Sequence, residues 1–420
     1  MGRDPMLRVL FATVLVVATA CGRPASSDQY LFVWAGDSAR KTSDFLAVID
    51  ANPISPKYGS VVASIPTGEI GTHPHHTEAE MPASAHLLAN GFHAGHSWLF
   101  DLTDPTNPKI LTSFGDLAGY SHPHTYLRLA DGNVLATFQY KADSAQQMKM
   151  PAGKGMSMGG AHATGGLVER DERGRVIRSG SARDSSVPGK FITPYSVLEL
   201  PAADRAISTT TDMDEADTVS TAEWIQFWRL SDLKLMKSIA LKPGPRGREN
   251  EFTGEPHLLP DGKSIYIHTF NCGLYLVRGA DGPAPTASFV YGFPGHDCGV
   301  PILTGHYWLQ TLSTEHSLVS MDITDPEHPR QVSAVAFGDK ETPHWIAIDR
   351  TGRRIVLNSG GYAKEDRLFI IDFNPATGAL AIDQKFRDAG SNRPGVNLSQ
   401  RTWPHGFTGT ASPHGTVFSR

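Results

Sequence analysis

The sequence predicts an all-β protein, a seven-bladed β-propeller. Three observations predict it: an apolar run followed by a turn recurs seven times, chain breakers are abundant, and no amphipathic helical window of useful length competes. The 420 residues include 41 Gly and 29 Pro with 40% hydrophobic residues. That composition suits many short strands joined by turns and works against long helices. The formal net charge is −5, and no Lys/Arg stripe interleaved with aromatics is present. Nothing points to nucleic acid as a partner.

The seven repeats are FLAVIDANP (45–53), SWLFDLTDP (97–105), GGLVERDERG (165–174), WIQFWRLSD (224–232), GLYLVRGAD (273–281), SLVSMDITDP (317–326) and RLFIIDFNP (367–375). Most are followed by another short apolar stretch, such as KILTSF or RQVSAVAF, which makes a hairpin whose Asp and Pro residues fix the turn. Several are preceded by a second hairpin turning on Asp-Gly or Thr-Gly, as in YLRLADGNVLATF and IAIDRTGRRIVLN. Two hairpins per repeat form a four-stranded meander, the size of one propeller blade. Tyr30–Gly36 and the tail GTVFSR are the natural strands of a blade shared by both ends of the chain. The Gly- and Met-rich stretch 141–163 reads as an inserted loop. Its Met148, Met150, Met156 and Met158 could bind soft copper, but a surface loop explains them as well.

The first residues read as a targeting segment. Arg3 and Arg8 precede the apolar run VLFATVLVVATA, which stops at Cys21. That run is shorter than the roughly 20 apolar residues a spanning helix needs. Ala18, Thr19 and Ala20 ahead of Cys21 resemble a bacterial lipobox. The expected organisation is a signal peptide over 1–20 with Cys21 acylated, a linker over 21–29 and one propeller domain over 30–420. The expected location is periplasmic or cell-surface, with the lipid anchor as the only membrane contact. The remaining cysteines, Cys272 and Cys298, suit a disulfide in an oxidising compartment; free thiols, or one thiol near a metal, are the competing readings.

Eighteen histidines against three cysteines are the compositional oddity. In a propeller the first strand of each blade lines the axial channel, so residues at the mouths of separate blades converge. Pro followed by His or Tyr recurs there: Pro123-His124, Pro194-Tyr195, Pro256-His257, Pro343-His344 and Pro404-His405. His124 and His344 each lie eight residues before a turn glycine, Gly132 and Gly352; Tyr195 holds about the same register, and His257 is five residues before Gly262. The segment Thr72-His73-Pro74-His75-His76-Thr77-Glu78 offers adjacent imidazoles and a carboxylate. One histidine alone more often caps a strand, but several at one mouth suit a transition metal. The candidate metal ligands are His75, His76, His124, His257, His344 and His405. His296, Cys298 and His414 are spare candidates. His86, His93, His96, His268, His306 and His328 read as ordinary strand or turn residues. No nucleophile elbow, Walker loop, H-E-x-x-H or Rossmann fingerprint is present. The acid pairs Glu78/Glu80 and Asp212/Asp214 read as solvated turns.

From DFLAVIDANPISPKYGSVVASIP onward the chain resembles the selenium-binding protein / methanethiol oxidase family. The segments that carry the resemblance are that opening, the His75-His76 pair, SWLFDLTDPTNPKI, PHTYLRLADGNVLATF, GGLVERDERGRVI and Trp403-Pro404-His405-Gly406. The resemblance implies a seven-bladed propeller and, for bacterial members, copper-dependent oxidation of methanethiol to formaldehyde, sulfide and hydrogen peroxide. It carries copper over to His75, His76, His124 and His405. The cysteine segment linked to selenium in animal members has no counterpart in TEAEMPASAHLL, which follows the paired histidines.

Two functions therefore follow as expectations. One is a copper-dependent oxidase of a small sulfur substrate, with Glu78 or Tyr195 moving protons. The other is a non-catalytic propeller lipoprotein that binds copper or selenium, or displays loops to a protein partner. Iron or zinc would also suit the imidazoles; a four-histidine iron site would draw its ligands from four separate blades.

Overall fold

The computed structural model describes residues 1–2, 29–142, 163–187, 191–213, 222–361 and 363–420. The targeting segment with Cys21 and the Met-rich insertion lie outside the described residues.

Apart from the small hairpin Arg401–Thr402/Thr408–Gly409, the strands of the described residues form seven sheets around one axis. Their innermost strands are Pro74–Thr77 in blade I, Tyr120–Arg128 in blade II, Pro194–Leu200 in blade III, Thr253–Leu258 in blade IV, Cys298–Thr304 in blade V, Trp345–Ile348 in blade VI and Ala411–Phe418 in blade VII. Each touches the innermost strand of the blades on either side, which closes the ring. Every one of the seven repeats in the sequence forms the third strand of a blade and the turn after it. The only helical element named among the described residues is the short 3₁₀ turn Pro201–Ala203.

The ring closes through both ends of the chain: Ala411–Phe418 pairs antiparallel with Tyr30–Asp37, with Leu31 opposite Phe418. Middle strands such as LFVWAG are apolar on both faces because each blade packs against two neighbours. Alternate side chains serve the two sides. Leu31 and Val33 join a core shared with blade VI, whereas Phe32 and Trp34 join one shared with blade I. One such cluster fills each of the seven blade interfaces. At roughly 25 cal/mol per Å² of apolar surface removed from water, these clusters are the main cohesive contribution to the ring. Outer strands such as Lys234–Ala240 keep one face in solvent.

Cys272 and Cys298 form a disulfide, which ties a turn of blade IV to the innermost strand of blade V. The bonded sulfurs remove Cys298 as a thiolate ligand.

Candidate metal centre

All the innermost strands but that of blade VI break register at one level of the channel. In blade I, Pro74 pairs with Gly91 and Thr77 with Ala89, so His75 and His76 together face Asn90. Two residues against one is a β-bulge, and a bulge re-aims the side chains it carries. Proline suits the position because it has no N–H to give to the ladder. The same shift occurs at His124-Thr125 in blade II, Tyr195-Ser196 in blade III and His414-Gly415 in blade VII. His73 and His122, just before the prolines of blades I and II, take φ of 59°. That left-handed conformation is uncommon for a side-chain-bearing residue and turns the chain into the bulge.

The first residue at this level is His344 in blade VI, His414 in VII, His75 in I, His124 in II and Tyr195 in III. Their rings follow one another around the channel: His344–His414 centroids are 5.0 Å apart, His414–His75 4.0 Å, His75–His124 4.8 Å and His124–Tyr195 3.9 Å. Phe270 closes the circle, 5.4 Å from Tyr195 and 6.2 Å from His344. His76 stacks on His75 at 4.5 Å, with Trp345 4.9 Å away and its Nε2 3.4 Å from the Tyr195 hydroxyl. His75, His76 and His414 each offer one ligand atom, all within 4.8 Å of one another.

Short polar side chains from the second strands of blades I, II, V and VI hold the next innermost strand. Asn90 donates to the carbonyls of Pro123 and His124 at 2.6 and 3.1 Å, and accepts the His76 N–H at 2.6 Å. Asn358 donates to the His414 carbonyl at 2.7 Å, and Thr137 and Thr311 do the same for Tyr195 and His344. The site is thus positioned by backbone clamps, as an outer shell around metal ligands requires.

The imidazoles are neutral. Burial, then the charges of neighbouring histidines, holds His75, His76 and His414 well below the usual histidine range. Burial pushes His124 down to about 3, against weaker opposing effects of Glu255 and the Tyr195 carbonyl. His124 Nδ1 lies 3.0 Å from that carbonyl. A carbonyl only accepts, so Nδ1 carries the proton and Nε2 keeps a lone pair. That Nε2 and the Nδ1 of His75 are buried with no hydrogen-bond partner. Buried, neutral imidazole nitrogens with nothing to bond are what a transition metal uses, so the donor set fits one.

The structure does not bring all the expected ligands together. His405 sits in the hairpin Arg401–Thr402/Thr408–Gly409, with Nδ1 2.7 Å from Ser64 Oγ and its ring against Phe45 at 4.7 Å. It precedes the innermost strand of blade VII, whose own Pro-His, Pro413-His414, supplies the imidazole instead. His257 packs on Trp308 at 5.2 Å. In blade IV the bulge is Gly254-Glu255, and the proline closes it rather than opening it, which carries His257 past the site. His344 lies at the edge of the arc, beside His414. Glu78 is buried, not solvated, and both its oxygens are engaged by Arg128 and the Leu88 N–H. His296 is exposed. His73 and His93, given no role from the sequence, pair through Nδ1 and Nε2 at 3.1 Å, and the His73 ring lies 5.4 Å from His75.

No protein-family model matches the chain. A methanethiol oxidase from Hyphomicrobium sp is 37% identical over 111 residues, which is 24% of this chain and 24% of that protein. Selenium-binding protein 2 from Arabidopsis thaliana is 28% identical over 133 residues, 28% of this chain and 27% of the relative. Among solved structures, a hypothetical selenium-binding protein from Sulfolobus tokodaii superposes with a TM-score of 0.72 at 16% identity, covering 94% of each chain. Over these segments the chain is similar to a methanethiol oxidase and a selenium-binding protein, and it shares the fold of a selenium-binding protein over most of its length. It spans about a quarter of the length of the curated relatives it matches. A periplasmic gluconolactonase from Pseudomonas aeruginosa, with a TM-score of 0.60 at 13% identity over 93% of this chain and 99% of that one, shares the fold alone. Propellers host unrelated chemistries, so function must be argued from the histidine arc.

Proposed function

We propose that the chain is a copper-dependent oxidase of small thiols such as methanethiol, with copper held by His75, His76 and His414 and His124 beside them. The observation that carries the reading is the meeting of three fully buried imidazoles from opposite ends of the chain, with ligand atoms within 4.8 Å. Copper would supply the one-electron chemistry and the affinity for sulfur that side chains lack. The protein's own contribution is placement and exclusion. Asn90 and Asn358 fix the strands, His124 presents Nε2, and Phe92, Phe270 and Trp345 surround the imidazoles with apolar rings that keep water out. The Tyr195 hydroxyl stands beside His76 as a proton donor or acceptor. The name of the Hyphomicrobium relative supports the substrate class.

We place the protein outside the cytoplasm, anchored through Cys21, with a small sulfur compound as its partner. The Cys272–Cys298 disulfide supports an oxidising compartment.

The test is copper reconstitution followed by metal analysis and oxygen uptake with methanethiol. The expected result is bound copper, lost in His414→Ala and kept in His405→Ala, with oxygen consumed by wild type. Copper bound tightly without oxygen uptake would favour a non-catalytic metal carrier, and no bound copper would sink the reading altogether.

A further inference from the structure

Blade IV breaks the pattern of the arc in a way that builds a different group. Its bulge pair is Gly254-Glu255, facing His268 alone between the pairs Thr253–Thr269 and Pro256–Ile267. Glu255 is therefore the second bulge residue, the register that His76 holds in blade I. His268, wholly buried, reaches the carboxylate with Nε2 2.7 Å from Oε2. The glycine is required for this: a Cβ at position 254 would lie 2.0 Å from His268 Nε2. The other oxygen, Oε1, is buried and has no hydrogen-bond partner. An ionised carboxylate normally fills its acceptor sites when buried, and an open one is a common mark of a working group.

The groups facing this carboxylate come from several blades. His268 bonds it, His257 lies on its own strand, and it interacts electrostatically with His124 of blade II and His344 of blade VI. Burial acts to raise its pKa, but the His268 hydrogen bond and charge outweigh burial and hold it ionised below the usual carboxylate range. It is coupled electrostatically to His124 and His344 of the arc, whereas the carboxylate of Glu78 is bound up by Arg128.

We propose that Glu255 takes the proton of a thiol substrate as its sulfur reaches the histidine arc, with His268 positioning the carboxylate. The S–H bond breaks, the electron pair stays on sulfur, and the proton ends on Glu255 Oε1. A coordinating thiol gives up its proton readily, so an acceptor inside a water-poor channel has only to be close. The inference rests on the thiol-oxidase reading and adds the residue that makes the substrate nucleophilic.

The experiment uses cobalt(II) as a non-oxidising probe in the full-length protein, with ethanethiol followed through the thiolate-to-metal absorption band across pH. Equal cobalt content in wild type and Glu255→Gln shows that the site is intact. The expected result is that Glu255→Gln raises the pH midpoint of thiolate binding by about one unit or more, with a smaller rise in Glu255→Asp, which keeps the charge but retracts it. Identical midpoints in wild type and both variants would overturn the role of Glu255 while leaving the metal centre standing. A wild-type protein that takes up neither cobalt nor copper would overturn the metal reading and this inference with it.

Discussion

The two sides of the channel carry the same bulge, absent only from the regular ladder of blade VI, with different contents. On blades VI, VII, I, II and III the first residue at the bulge level is His, His, His, His and Tyr; on blades IV and V it is glycine. The glycines are dictated by what lies behind them. A Cβ at Gly254 would meet the His268 ring, and one at Gly299 would lie 2.4 Å from the His344 carbonyl oxygen. Phe270 fills the space they leave and completes the circle of rings. One strand geometry thus serves two ends: it points donors inward on one side and lets backbone and rings approach closely on the other.

Removing donors from the histidine side should have the largest effect. His75→Ala and His414→Ala are expected to lower copper affinity at least about 100-fold, more than an outer-shell change would, as read by metal analysis after dialysis. Crowding the glycine side should affect stability instead. Gly299→Ala is expected to destabilise the fold by about 1–3 kcal/mol in denaturant titration, because the clash is with backbone. Asn90→Ala and Asn358→Ala test the clamps between the sides. Each should lower stability by about 1–3 kcal/mol by leaving strand carbonyls unpaired, and copper affinity by about 10–100-fold. His257, packed on Trp308, supplies a pH signature of the metal-free protein. Burial pushes it down to about 4 from 6.5. Between those values the unfolded chain takes up a proton that the folded one refuses, so stability should fall as pH drops through this window and be unaffected above it. Thermal midpoints measured across pH 4–7 check it, and His257→Gln should reduce the slope by one proton's share, the buried histidines of the arc keeping the rest. His405→Ala should have the smallest effect, about 1 kcal/mol for the lost Ser64 hydrogen bond, with copper content unchanged.

The propeller was legible because blade formation is local: each apolar run and its turn lie within a few residues, and all seven became third strands. The convergence of His75, His76 and His124 was legible because Pro74 and Pro123 open the bulges that carry them on the strands lining the axis. His257 was misread because Pro256 sits on the far side of its bulge, a distinction only the pairing register reveals. The eight-residue spacing that joins His124 to Gly132 does hold in blade IV, but it leads from Gly262 back to Gly254, beside Glu255. His405 drew attention through a Pro-His in a hairpin, whereas His414 had the same dipeptide on the closing strand. Which of the two lies on the axis depends on where the final strand begins. The local sequence cannot tell, since both histidines stand in the same tripeptide, Pro-His-Gly.

The closing strand has a consequence for biogenesis. His414 lies on the last strand of the described chain, and that strand pairs with Tyr30–Asp37. During synthesis the first six blades would emerge with the arc still open and its imidazoles unmatched. The complete ligand set would come into being only when the last strand docks. A chain truncated before Ala411 would lose a donor and the ring's seam together. On the proposed reading, ion binding would thereby be coupled to docking of the closing strand, since His414 joins His75 and His76 only once that strand is in place.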